Sequence, residues 1–126
     1  MRALIAGAVQ AAEAGDAAGV RAAISPNYSD AEGRDRQTLD GVIRLSLVRH
    51  RPLHLYARIP TVEVIGNDRA TAVVYAAMAG SKVDAPADVA RLSASLYRFD
   101  LTLELERGEW RVRSAAWRPA ELSEIR

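Results

Sequence analysis

The chain has 126 residues, the length of one domain and enough to bury a core. A net charge of +1 gives no field for nucleic acid or a membrane surface, and the lack of cysteine excludes disulfides, thiolate catalysis and cysteine-bound zinc. Apolar residues make up 49% and charged residues 26%, as in ordinary soluble globular domains. All basic residues but Lys82 are arginine, and alanine is abundant; both biases fit GC-rich coding better than a phosphate-binding surface.

Taken in chain order, residues 2–14 read as a helix with Leu4, Ile5, Ala8, Val9 and Ala12 on one side. Gln10 and Glu13 interrupt the apolar run, so this is a first helix rather than a retained secretory leader. The compartment stays open. Gly15 ends the helix, Asp16 caps a second one to about Ile24, and Pro26 stops that. Asn27 to Gly33 is a turn or very short strand. Asp35 caps a third helix over roughly 36–50, with Leu39, Val42, Ile43, Leu45, Ser46 and Leu47 as its apolar side. Pro52 closes it.

Strands follow. Leu53, Leu55, Ala57 and Ile59 alternate with His54, Tyr56 and Arg58; after Pro60 the apolar parity moves to Val62 and Val64. Gly66-Asn67-Asp68 is a hairpin turn. Ala70, Ala72, Val74, Ala76 and Met78 form the inward set of the next strand, and Gly80 to Asp88 is a loop. Leu92, Ala94 and Leu96 then give way to Phe99, Leu101, Leu103 and Leu105. After a turn at Arg107-Gly108-Glu109, Trp110 and Val112 alternate with Arg111 and Arg113, and the parity moves again to Ala115 and Trp117. On the wet side Glu104 and Glu106 can face Arg111 and Arg113. A strand that keeps burying apolar residues after a one-residue slip must bulge or bend. Three slips predict a strongly curved antiparallel sheet wrapped around the N-terminal helices, an α+β cone with a pocket at its mouth.

Three leading helices, the Tyr28-Ser29-Asp30 segment, Gly66-Asn67-Asp68-Arg69-Ala70-Thr71, Gly108-Glu109-Trp110-Arg111-Val112 and the closing Ser114-Ala115-Ala116-Trp117 together resemble the nuclear transport factor 2-like superfamily, whose cone is also called cystatin-like. The resemblance runs from about residue 3 to 118, and residues 1–126 read as a single such domain. It implies no single activity: the superfamily includes ketosteroid isomerases, polyketide cyclases, scytalone dehydratases, epoxide hydrolases, accessory domains and many bacterial proteins of unknown role.

Under that resemblance Asp30 lies near the place of an isomerase base, with Tyr56, Tyr75 or Tyr97 as the donor. The plainer reading makes Asp30 a turn residue. Arg98-Phe99-Asp100 has the spacing of part of an epoxide-hydrolase set, but the third acid has no counterpart, which leaves a solvated ion pair. His50 and His54 are split by Pro52 and lack an inward carboxylate, so no metal is expected, and no cofactor. Arg44, Arg49, His50, Arg51, His54 and Arg58 form a positive stretch read as a solvated face. Ser93, Ser95 and Tyr97 share one strand face, and the nearby slip leaves open whether it is the inner one. The expected ligand contacts are Tyr28, Asp30, Tyr75, Ser95, Tyr97 and Trp117. The expectation is a cone-fold protein that binds a small apolar or amphipathic molecule. Its rivals are an isomerase-, cyclase- or dehydratase-type enzyme using Asp30, with Tyr56 as donor, and an accessory domain that binds protein. The resemblance also implies a homodimer through the outer sheet face, with Val73, Ala77 and Leu96 as its apolar residues.

Overall fold

The computed structural model describes residues 1–49, 53–79 and 95–125. Expectations placed on His50, Arg51, Pro52, the loop from Gly80 to Asp88, Leu92, Ser93 and Ala94 lie outside the described residues.

Helix α1 spans Arg2–Glu13 and ends where Gly15 takes φ +72°, a conformation open to glycine because it has no Cβ. Helix α2 spans Ala17–Ala22; the Asp16 side chain accepts from the Gly19 N–H at 3.0 Å and so satisfies one orphan donor of the first turn. Helix α3 spans Arg36–Arg49, capped by Asp35 accepting from the Thr38 N–H at 2.8 Å. It buries Leu39 and Leu47 and leaves Leu45 half exposed.

Four antiparallel strands follow, β1 (His54–Ile65), β2 (Arg69–Ala79), β3 (Ser95–Glu106) and β4 (Glu109–Pro119), in the order β1-β2-β3-β4. Two of the three expected slips are register shifts. In β1 the shift falls between Arg58 and Thr61, so Leu55 and Ala57 face Met78 and Ala76 before it, and Val62 and Val64 face Ala72 and Ala70 after it. In β4 Ser114 is opposite Thr102 and Val112 is opposite Leu103, which leaves Arg113 as the extra residue. The third slip does not occur in β3. Its pairing with β2 is continuous from Ser95 to Glu104. Tyr97, Phe99, Leu101 and Leu103 are one uninterrupted inward set, and Leu96, opposite Ala77, belongs to the other face.

The sheet is open. Residues 23–29 run along the edge of β4: Val112 N–H donates to the Ala23 carbonyl at 2.8 Å, Ser25 N–H to Val112 at 2.9 Å and Ser29 N–H to Arg113 at 3.1 Å. That covers an edge that would otherwise invite another chain. The core lies on the concave side, where Ile5, Ile24, Tyr28 and Leu39 meet Ala70, Ala72, Val74, Leu103 and Val112. The hairpin closes at Arg107 (φ +52°) and Gly108 (φ +79°), the twist of a type I′ turn. Arg113 pairs with Glu104 at 3.2 Å, as the wet-face alternation predicts. Arg111 instead pairs with Glu109, and Glu106 accepts from the Ser25 hydroxyl at 2.7 Å.

An unforeseen segment covers the convex face. A short 3₁₀ helix, Leu122–Glu124, brings Ile125 onto Tyr75, Ala77 and Leu96, with Ala120 and Leu122 alongside. The Ala120 N–H donates to the Leu96 carbonyl at 2.9 Å, and Arg118 holds Glu124 at 2.8 Å. Ala77 and Leu96 point outward as expected, but they are covered by this chain's own segment rather than free.

Candidate functional site

Between α1, α3 and the concave sheet face lies a cavity of 380 Å³. Its existence follows from small side chains at inward positions. Ala8, Ala76 and Ala115 line it where larger residues would close it, and the walls are Leu4, Ile43, Leu55, Phe99 and their neighbours. Among the described residues, the only heteroatoms in the lining side chains are the hydroxyls of Ser46 and Tyr97, the Met78 sulfur and the Trp117 indole nitrogen. Among the described residues no carboxylate or cationic side chain lines it.

A shallower hollow of 470 Å³ adjoins this cavity, bounded by Glu13, Gly15, Leu53 and His54. The two share Ala12, Leu47 and Leu53, at the starting end of β1. Among the described residues the ionisable side chains of the shallower hollow are Glu13 and His54.

On the β4 side, the wall is backed by a polar cluster. The Asp30 side chain is 1% exposed, and its two oxygens accept four bonds. These come from the Tyr28 hydroxyl at 2.7 Å, the Glu32 N–H at 3.0 Å, the Arg34 N–H at 3.1 Å and the Arg34 Nε at 2.9 Å. Burial pushes the Asp30 carboxyl up, but the bonds from Tyr28 and Arg34 together with the guanidinium charge outweigh it and hold it below its ordinary value. Burial, then the bond to Asp30 and its negative charge, raises the Tyr28 phenol above its ordinary value. The Arg34 guanidinium lies 4.3 Å from the centre of the Trp117 ring, a cation–π contact. Phe99 packs near Trp117 with centroids 6.2 Å apart.

The expected site residues therefore separate. Tyr97 and Trp117 line the cavity. Ser95 shares their face, opposite Met78, at the exposed start of β3. Tyr28 and Asp30 stand behind the wall rather than in it, and Asp30 has no lone pair left for a substrate proton. Tyr75 and Tyr56 face outward; Tyr75 lies under the C-terminal segment, where its hydroxyl meets Glu124 and Arg98, each at 3.4 Å. The isomerase arrangement of Asp30 with Tyr56 does not assemble, because the two occupy opposite sides of the sheet. Arg98 and Asp100 form the solvated pair expected of them, at 2.9 Å on the outer face. Among the described residues no group of three or more metal-ligating side chains occurs, and no helix is long and apolar enough to cross a membrane. Sequence reasoning missed Ser46 as a polar wall residue, although its place among the apolar positions of α3 marks it. It also missed Arg34, four residues after Asp30 in the same turn.

Three helices packed in the hollow of an open, bent four-stranded sheet decide the architecture. The fold is nuclear transport factor 2-like. A domain of unknown function with a cystatin-like fold from Nostoc punctiforme is similar with a TM-score of 0.71 at 14% identity, over 98% of this chain and 77% of that one. A ketosteroid isomerase-like protein from Erwinia carotovora atroseptica has a TM-score of 0.69 at 14% identity, over 95% of this chain and 93% of that one. An NTF2-like protein of unknown function from Shewanella oneidensis has a TM-score of 0.68 at 13% identity, over 90% and 92%. No protein-family model and no curated protein matches the chain. At these identities the nuclear transport factor 2-like likeness is one of fold alone.

Proposed function

We propose that this NTF2-like chain binds a small, largely apolar molecule in the cone, without Asp30 acting on it as a base. One observation carries the reading: a 380 Å³ cavity whose lining, among the described residues, holds no carboxylate or cationic side chain. That volume falls in the roughly 300–1,000 Å³ range of small-molecule sites, which are mostly apolar with a few placed polar groups. Here the placed groups are Ser46 and Tyr97. The expected isomerase base, Asp30, is saturated by its four donors and has no lone pair left to take a substrate proton. A domain that used only its outer faces would gain stability by filling the interior, so the alanines that keep it open favour a ligand over a purely accessory role.

Decanol tests this. Trp117 stands in the wall, so in a Trp110→Phe background its emission reports occupancy directly. Decanol is expected to shift that emission and to raise the melting temperature, since a ligand that prefers the native state stabilises it. Ala76→Phe, which fills the cavity from β2, is expected to abolish both effects while keeping the fold. No response of the native chain up to the solubility of decanol refutes the reading.

A further inference from the structure

We infer that the molecule held in this cavity is uncharged and brings an oxygen acceptor, received by the Tyr97 hydroxyl and the Trp117 indole N–H. The inference rests on the apolar-ligand reading and adds the chemistry of the ligand's polar point. Among the described residues, the lining side chains with hydrogen-bonding groups of ordinary strength are Ser46, Tyr97 and Trp117. Ser46 already has a partner. The other two have ring contacts alone among the described residues: Tyr97 with Phe99, centroids 6.5 Å apart, and Trp117 with Phe99 at 6.2 Å and with the Arg34 guanidinium. The side-chain atoms buried without a partner among the described residues are Arg36 Nε and Asp40 Oδ1. The Tyr97 hydroxyl and the Trp117 N–H therefore open onto space rather than being sealed against protein. Both side chains stand on the inner face, where Trp117 is opposite Phe99, so the two donors flank one Phe99 ring.

These two donors select the ligand by what each class would leave unpaired. A pure hydrocarbon would take water from both and return nothing, and a donor removed from water without a partner is unfavourable. The indole N–H can only donate, so a protonated amine would set donors against a donor. A carboxylate would accept, but no cationic side chain of the lining, among the described residues, offsets the loss of its hydration. An uncharged oxygen on an apolar frame meets both conditions: an ester, an ether or a ketone. Decanol satisfies them through its hydroxyl oxygen. The frame would lie on Phe99 and Ala115, with the oxygen between Tyr97 and Trp117.

The test compares dibutyl ketone with nonane, the same carbon chain with and without one oxygen. Headspace gas chromatography over the full chain measures how much of each is bound. The readout is the ratio of the two affinities. Tyr97→Phe removes the hydroxyl and keeps the ring against Phe99. It is expected to lower that ratio about fivefold, the worth of one neutral hydrogen bond, and to leave nonane within about twofold of the native chain. Trp117→Phe removes the N–H, and its smaller ring affects both ligands alike, so the ratio is again expected to fall about fivefold. A fall in either variant supports the inference. A ratio unchanged in both overturns it, as does a native chain that takes up nonane but not dibutyl ketone. Loss of both ligands from both variants also overturns it, because the two side chains would then be supports of the wall. If the native chain binds neither molecule, the apolar-ligand reading itself has failed.

Discussion

The Tyr28 hydroxyl donates to the Asp30 carboxylate across 2.7 Å, and both side chains are shut away from water behind the last strand. This pair, two residues apart in sequence, anchors the turn before α3 to the core. Asp30 is therefore a structural acid. Asp30→Asn is expected to lower stability by about 1–3 kcal/mol, because one buried acceptor becomes a donor facing donors. Urea unfolding measures it. Decanol binding to the residual native protein is expected to stay unchanged.

The same acid sets a pH dependence. Its folded pKa is lowered, so the ionised form is the stabilising one. The contribution is complete above the unfolded value of roughly 4 and is lost as pH falls through the lower folded value. Stability measured against pH is expected to fall more steeply on the acid side in the native chain than in Asp30→Asn. Equal slopes would show that Asp30 is not preferentially ionised in the folded state.

Glu124 gives a second titration, on the surface. The hydrogen bond from Arg118, then the Glu121 N–H, brings its carboxyl down from 4.5 to about 2. An NMR titration is expected to find its midpoint near that value, and Arg118→Gln is expected to return it toward 4.5. The bond is also part of what seats the C-terminal segment on the sheet.

Ile125 is the apolar contact of that segment, 5% exposed against Tyr75, Ala77 and Leu96. Ile125→Ala is expected to cost about 2 kcal/mol in urea unfolding, the low end for a buried isoleucine because the segment can partly close the gap. Ile125→Asp would not settle on that patch, and the uncovered residues form an apolar surface. Sedimentation velocity is expected to show stronger self-association for Ile125→Asp than for the native chain at equal concentration. That outcome would mean that pairing through Val73, Ala77 and Leu96 requires residues 120–125 to be displaced.

At the β3–β4 turn, Arg107 holds a left-handed conformation that costs a residue with a Cβ. Asn followed by Gly is the preferred pair for this turn, so Arg107→Asn is expected to add about 0.5–1 kcal/mol. Thermal unfolding would register a rise of a few degrees.

The chain's own order of residues determined the three helices and four strands, the helix caps at Asp16 and Asp35, the hairpin turns and both register shifts. Each of these is a local matter of periodicity, of a side-chain oxygen within reach of a nearby N–H, or of a φ that glycine accepts. The bend at Pro60 was legible because apolar parity changes there and nothing else puts Val62 and Val64 on the same side of the sheet as Leu55 and Ala57. Parity misled at Leu96, since an apolar residue on the outer face looks like a slip until the segment that covers it is seen. Tertiary structure alone decided that Tyr97 and Trp117 share a cavity while Tyr75 does not, that Asp30 spends its acceptors on Tyr28, Glu32 and Arg34, and that Ile125 meets Ala77. Those are contacts between residues far apart in the chain or competition among several donors, and spacing along one strand carries no information about either.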